Sequence, residues 1–179
     1  SITILIHKIQ TMNDFTDGRK SPLKKYILFV CLGNICRSPA AEGIMKQMVF
    51  DDPELRGNIV VDSAGIGAWH TGQLPDPRMR KHAAARGYNL TSRARQIQPD
   101  DFDRFDIVFG MDKENIADLR RVARNEDDRK KIRCLADYMT EHPEYDTVPD
   151  PYYGTDVDFD LALDLIEDAC KEVVRKLKD

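Results

Sequence analysis

Residues 25–31 read KYILFVC, a short, unbroken run of β-prone residues that gives way at once to a polar loop and a helix start. A strand that is apolar without alternation is buried on both faces. This feature constrains the chain most, because such a strand needs layers above and below it. Three more strand-like runs follow: NIVVDSA (58–64), ended by the glycines of GIG, then FDIVFGM (105–111) and KIRCLADY (131–138). Helical patterns lie between them. Ser38-Pro39 supplies an N-cap hydroxyl and a first-turn proline, and Ala41, Ile44, Met45, Met48 and Val49 then mark one apolar face. Asp76-Pro77 opens a helix through about Arg86 that Gly87 stops, and Asp112 caps one through about Val122. A last helix carries Phe159, Ala162, Leu163, Ile166, Cys170, Val173, Val174 and Leu177 on one side. Strands alternating with helices predict a single α/β domain: a four-stranded parallel sheet, helices on both faces, right-handed crossovers. Ligands of such sheets sit beyond the carboxyl ends of the strands. The loop after residue 31 lies there.

Composition excludes several classes. The chain has 179 residues, enough for one domain with a core, and 41% apolar and 32% charged residues, ordinary for a globular protein. A net charge of −4 gives no general attraction to nucleic acid or anionic membrane. The basic stretch RRVARNEDDRKK (120–131) is broken by acids and reads as a solvated helix end and loop. No run approaches the roughly 20 apolar residues of a membrane helix. The first ten residues, SITILIHKIQ, lack a basic lead-in and a cleavage site, so they make a poor signal peptide. Residues 1–23 are expected to be an extension outside a domain at 24–179, with Met12 a candidate natural start. Cys31, Cys36, Cys134 and Cys170 form no CxxC, and His7, His70, His82 and His142 do not stand at ligand spacing beside them. No metal or organic cofactor is expected. Four cysteines in so long a chain do not make a secreted disulfide framework, and a cytoplasmic location is expected. Cys134 and Cys170 read as core residues.

The stretch CLGNICRS (31–38) has a specific chemistry open to it. Backbone N–H groups in a tight turn converge on an anion, and the following helix adds its N-terminal donors and partial positive charge. Gly33 allows close approach and positive φ, and Asn34 tolerates a left-handed conformation. Leu32, Ile35 and Cys36 complete the loop. Arg37 supplies a planar fork for two phosphate oxygens. That surrounding favours the thiolate form of Cys31, and Ser38 can donate to it. A thiolate facing a bound phosphoryl group is placed for in-line attack. The bland reading, a cysteine ending a buried strand and a solvated arginine, leaves Gly33, Asn34 and Ser38-Pro39 unexplained. Pro-Asp-Pro occurs twice, at 75–77 and 149–151. Asp76 precedes a helical pattern and reads as a cap; Asp150 follows a polar loop and is the better candidate for a catalytic acid, although both stay open on this reading.

With Cys31, five intervening residues and Arg37-Ser38, the chain resembles the low-molecular-weight protein tyrosine phosphatases. The resemblance covers about residues 24–179 and includes VCLGNICRSPAAEGI, VDSAGIGAWHTG, DPR, RARQI, FGMDKEN and DPYYG, in family order. It implies Cys31 as nucleophile, Arg37 as phosphoryl clamp and Asp150 as general acid and base. It also implies that Asn34 and Ser63 brace the loop, that Trp69, Tyr152 and Tyr153 wall a slot for a flat ring, and that Tyr153 is a candidate phosphorylation site. By itself Trp69 could equally be a partly buried core aromatic. Where the family often has a histidine before ARQ, this chain has Ser92. The implied substrates are phosphotyrosine-containing proteins or peptides, with inorganic phosphate as product. Three alternatives remain. Arsenate reductases share the fold but carry extra cysteines mid-chain, and this chain has none between Cys36 and Cys134. Protein-arginine phosphatases typically have threonine where this chain has Ile35. A non-catalytic phosphate-binding module would lack the nucleophile, clamp or acid. Cys36 is either a small buried residue or a reversible disulfide partner that shields Cys31 from over-oxidation.

Overall fold

The computed structural model describes Lys20 and residues 23–179. The expected N-terminal extension, with Met12 and His7, otherwise lies outside the described residues. Strands β1 (Lys25–Cys31), β2 (Ile59–Gly65), β3 (Ile107–Gly110) and β4 (Ile132–Cys134) pair in the order β2-β1-β3-β4, all parallel. Helices α1 (Arg37–Asp51), α2 (Pro77–Ala85), α3 (Asp101–Arg104), α4 (Lys113–Val122), α5 (Glu126–Arg129) and α6 (Asp156–Leu177) surround the sheet. The expected α/β fold is therefore present.

Alternation along β1 explains the two layers. Ile27, Phe29 and Cys31 face one core with Ile44 and Met45 of α1, Met79 of α2 and Phe159, Leu163 and Ile166 of α6. Tyr26, Leu28 and Val30 face the other, with Phe102, Phe105 and Leu119. An unbroken apolar strand is what two cores require. The chain leaves β1 toward β2 on one side and returns to β3 on the other, so the order reverses between β1 and β3. A crevice opens beyond their carboxyl ends at such a switch point.

Several local expectations are corrected. The helix at Ser38-Pro39 begins at Arg37, with Cys36 at the cap position and no side-chain cap. The Ser38 hydroxyl is instead turned inward, as described below. Pro39 still falls in the first turn, where a missing N–H costs nothing. The run 131–138 divides into β4 and a 3-10 turn, Leu135–Tyr138, because β4 is a short edge strand. Cys170 is in the core, but Cys134 ends β4 and is only half-buried. The short helices α3 and α5 carried too few residues for a periodic signal. Asp76 and Asp112 do cap α2 and α4, accepting from the N–H groups of Arg78 and Asn115.

Candidate active site

The loop from Cys31 to Ser38 turns its carbonyls outward. Cys31, Leu32 and Ile35 carbonyl oxygens accept from Ile66, Gly67 and Asp76 N–H at 2.9, 2.9 and 2.8 Å. The backbone N–H groups of Leu32, Gly33, Asn34, Ile35 and Cys36 donate to no acceptor among the described residues. A run of unused donors at the head of a 15-residue helix is an anion cradle. Asn34 takes the left-handed conformation that makes the turn, with φ of 57°, whereas Gly33 does not. Gly33 serves by close approach: a Cβ there would lie 3.0 Å from His70 Cδ2. Gly65 serves in the same way from behind, where a Cβ would lie 3.0 Å from Asn34 N and Gly33 C.

Arg37 is 2% exposed. Its Nη1 donates to Asp112 Oδ2 at 2.6 Å and to the Val148 carbonyl at 2.9 Å, and Nη2 lies 3.4 Å from Asp150 Oδ2. Its Nε is buried without a partner among the described residues. Burial opposes the charge, but Cys31, Asp112 and Asp150 outweigh it and hold the guanidinium above its ordinary pKa. Asp112 arrives from the end of β3 and Arg37 from the loop after β1, so the strand-order reversal brings the pair together.

A polar chain runs behind Cys31. Its Sγ lies 3.0 Å from Ser38 Oγ. Asn34 Nδ2 donates to Ser38 Oγ at 2.8 Å and to Ser63 Oγ at 2.9 Å, and Asn34 Oδ1 accepts from Arg95 N–H at 3.0 Å. Ser63 donates to the buried Glu42 carboxylate at 2.6 Å, which Lys46 also meets at 2.6 Å. Cys36 is buried below the loop, where burial above all pushes its thiol pKa up. It is a free thiol in this structure, as is Cys31.

A pocket of about 270 Å³ opens over the cradle, lined by Cys31, Arg37, Trp69, His70, Asp150 and Tyr152 among others. Trp69 is 68% exposed, which excludes the core reading of that ring. Tyr152 is half-buried, and Tyr153 packs edge-on against it with ring centroids 4.8 Å apart. Tyr153 is 96% exposed and lines the pocket at its outer edge. Asp150 Oδ1 accepts from Tyr152 N–H at 3.1 Å, a local turn that holds the carboxyl at the pocket mouth. Asp76, the rival aspartate, is turned away into a pair with Arg78 at 2.9 Å.

The profile of the family described as low molecular weight phosphotyrosine protein phosphatase matches residues 26–179. The chain belongs to this family. The pig low molecular weight phosphotyrosine protein phosphatase is 37% identical over 155 residues, 86% of this chain and 96% of the pig protein. A protein tyrosine phosphatase structure from Entamoeba histolytica is 42% identical, with a TM-score of 0.82, covering 87% of this chain and 97% of that one. A drosophila arginine phosphatase structure is 31% identical with a TM-score of 0.78, covering 86% and 98%. These matches span nearly the whole of each relative and most of this chain.

The phosphatase pocket gathers nearly every residue singled out in the sequence. Asn34, Ser38 and Ser63 do not line it; they are joined to one another by hydrogen bonds behind Cys31. The Asn34 side-chain carbonyl is held by the Arg95 N–H, three residues beyond Ser92. Sequence reasoning missed Asp112 as the partner of Arg37, because its capping role accounted for it fully. It also missed His70, which adjoins Trp69 in AWHTG, and Glu42, whose place in an apolar helix pattern was the available signal.

Proposed function

We propose that this phosphatase hydrolyses phosphotyrosine monoesters on proteins or peptides in two steps. In the first, Cys31 Sγ attacks phosphorus, the bond from phosphorus to the phenolic oxygen breaks, and Asp150 gives its proton to the leaving oxygen. In the second, Asp150 takes a proton from water, the oxygen attacks phosphorus, and the sulfur–phosphorus bond breaks. Phosphate leaves and the thiolate is restored. The N–H groups of residues 32–36 and the free Nε of Arg37 stabilise the equatorial oxygens as charge builds up, the contribution that is often largest. Ser38 donates to the Cys31 thiolate, with Asn34 and Ser63 holding it in place. Ile35, Trp69 and Tyr152 suit a flat phenyl ring. The observation that carries this reading is the run of unused loop donors with Cys31, Arg37 and Asp150 on one pocket.

The chain's own composition supports a reducing compartment, and we place it in the cytoplasm: its four cysteines are free, and a nucleophilic thiolate works only when reduced. We also assign Cys36 as the partner that can join Cys31 in a disulfide when peroxide takes up the two electrons.

The test is release of phosphate from matched phosphotyrosine, phosphoserine and phosphoarginine peptides, with Cys31→Ser as blank. Release from phosphotyrosine alone, abolished in the blank, is expected. Preference for phosphoarginine would overturn the substrate class, in line with the similarity to the drosophila arginine phosphatase. No release from any peptide would overturn the reaction.

A further inference from the structure

Arg78, the second residue of α2, bridges the two loops of the site. Its Nε and Nη2 form a fork onto Asp76 Oδ1 and Oδ2 at 3.1 and 2.9 Å. The same Nη2 donates to the Tyr152 carbonyl at 3.0 Å. The guanidinium lies over the Tyr152 ring at 5.5 Å and over the Phe159 ring at 4.7 Å. Asp76 is itself tied to the phosphate loop, through its N–H on the Ile35 carbonyl at 2.8 Å. A short hydrogen-bonded path therefore runs from the cradle, through Asp76 and Arg78, to the loop that carries Asp150.

We propose that Arg78 is a positioning residue for the acid: its fork, oriented by Asp76, latches the Asp150–Gly154 loop so that the Asp150 carboxyl faces the leaving oxygen. Two cations hold this loop and the residues just before it. Arg37 takes Val148 O and faces Asp150 Oδ2, and Arg78 takes Tyr152 O. Asp150 is joined to Tyr152 through the Tyr152 N–H. Fixing Tyr152 at its carbonyl therefore fixes the turn on which the carboxyl stands. The ends of the loop are otherwise local, with Gly154 N–H on Pro151 O at 2.8 Å and Thr155 opening α6. Without Arg78 the segment between Val148 and Thr155 loses its tie to α2, and the carboxyl samples positions away from the line of proton transfer. Displacement by about 1 Å in a catalytic group can cost about a hundredfold in rate. The fork matters beyond the charge: a lysine keeps the charge and the reach but cannot hold Asp76 with two parallel bonds and a third acceptor besides.

The proposal rests on the phosphatase reading, and the experiment separates the two. Arg78→Met keeps the apolar stem over Phe159, and Arg78→Lys keeps the charge. Each is compared with the parent and with Asp150→Ala on phenyl phosphate, a poor leaving group, and 4-nitrophenyl phosphate, a good one. The reading is kcat/KM, which reports the step that expels the phenol. Arg78→Met is expected to lose about tenfold or more on phenyl phosphate and less than about threefold on 4-nitrophenyl phosphate. Competitive inhibition by inorganic phosphate should stay within about twofold, because the cradle is untouched. Arg78→Lys should recover less than half of the loss on a logarithmic scale. Equal loss on both substrates together with weaker phosphate binding would overturn the proposal, since Arg78 would then merely support the fold. No loss on either substrate would overturn it as well. If Asp150→Ala itself shows no dependence on the leaving group, the acid assignment falls and takes this proposal with it. If Asp150→Ala shows the dependence and Arg78→Met does not, Arg78 alone is refuted.

Discussion

Asp112 performs two tasks with two oxygens, and replacing it in two ways separates them. Its Oδ1 caps α4 through Asn115 N–H at 2.8 Å, and its Oδ2 receives Arg37 at 2.6 Å. Asp112→Asn keeps a cap oxygen and removes the charge. Asp112→Ala removes both. Taking away one partner of a fully buried ion pair costs about 3–5 kcal/mol. Here Arg37 is 2% exposed but Asp112 is 24% exposed, and Arg37 keeps the Val148 carbonyl and Asp150, so about 2 kcal/mol is expected for Asp112→Asn. The lost cap adds about 1 kcal/mol, bringing Asp112→Ala to about 3 kcal/mol. Urea unfolding at pH 7 followed by circular dichroism reads these values from the shift in midpoint at constant slope. Repeating it with inorganic phosphate tests the site, because a ligand that binds only the folded protein stabilises it according to its affinity. With Arg37 no longer held by Asp112, both variants should gain less from phosphate than the parent. The reasoning is refuted if Asp112→Asn unfolds within about 0.5 kcal/mol of the parent and gains as much from phosphate.

Gly65→Ala places a methyl 3.0 Å from the backbone of the phosphate loop, which cannot move aside as a side chain could. Phosphate inhibition should weaken by about tenfold, with about 1–3 kcal/mol of stability lost to overpacking; an unchanged inhibition constant would show that the loop yields freely. His82 lies between Asp156 and Asp160 at 3.0 Å each. The hydrogen bond to Asp156 raises its pKa, against partial burial and with help from Asp160. Because the folded value is the higher one, this contribution is complete below about pH 6.5 and disappears as pH climbs through the folded value. The parent should thus lose stability relative to His82→Gln as pH rises from 6 to 8, and parallel profiles would exclude the linkage.

Much of the fold could be read locally. The apolar run at 25–31, the Asp76-Pro77 and Asp112 caps, and the periodic face of the last helix each depend on a few adjacent residues, and each appears where the pattern places it. The errors have a common source. The neighbours of Ser38 fit a cap, yet its hydroxyl makes none and meets Cys31, as the loop chemistry allows, together with Asn34. The strand pattern at 131–138 outruns β4 because an edge strand stops where its single neighbour stops, and a sequence does not show its neighbours.

By itself the sequence determined that a phosphate-sized cradle follows the first strand. Glycine, a left-handed asparagine, a helix start and an arginine within eight residues leave the backbone few other uses for its donors. Tertiary structure alone decided what stands around that cradle. Asp112 is 75 positions from Arg37, Asp150 is 113 positions away, and Arg78 meets Tyr152 across 74. Those meetings follow from the reversal of strand order between β1 and β3, which brings distant loops to one end of the sheet. No local pattern encodes that approach, because hydrogen bonds and charges act over a few ångströms in space whatever the separation along the chain.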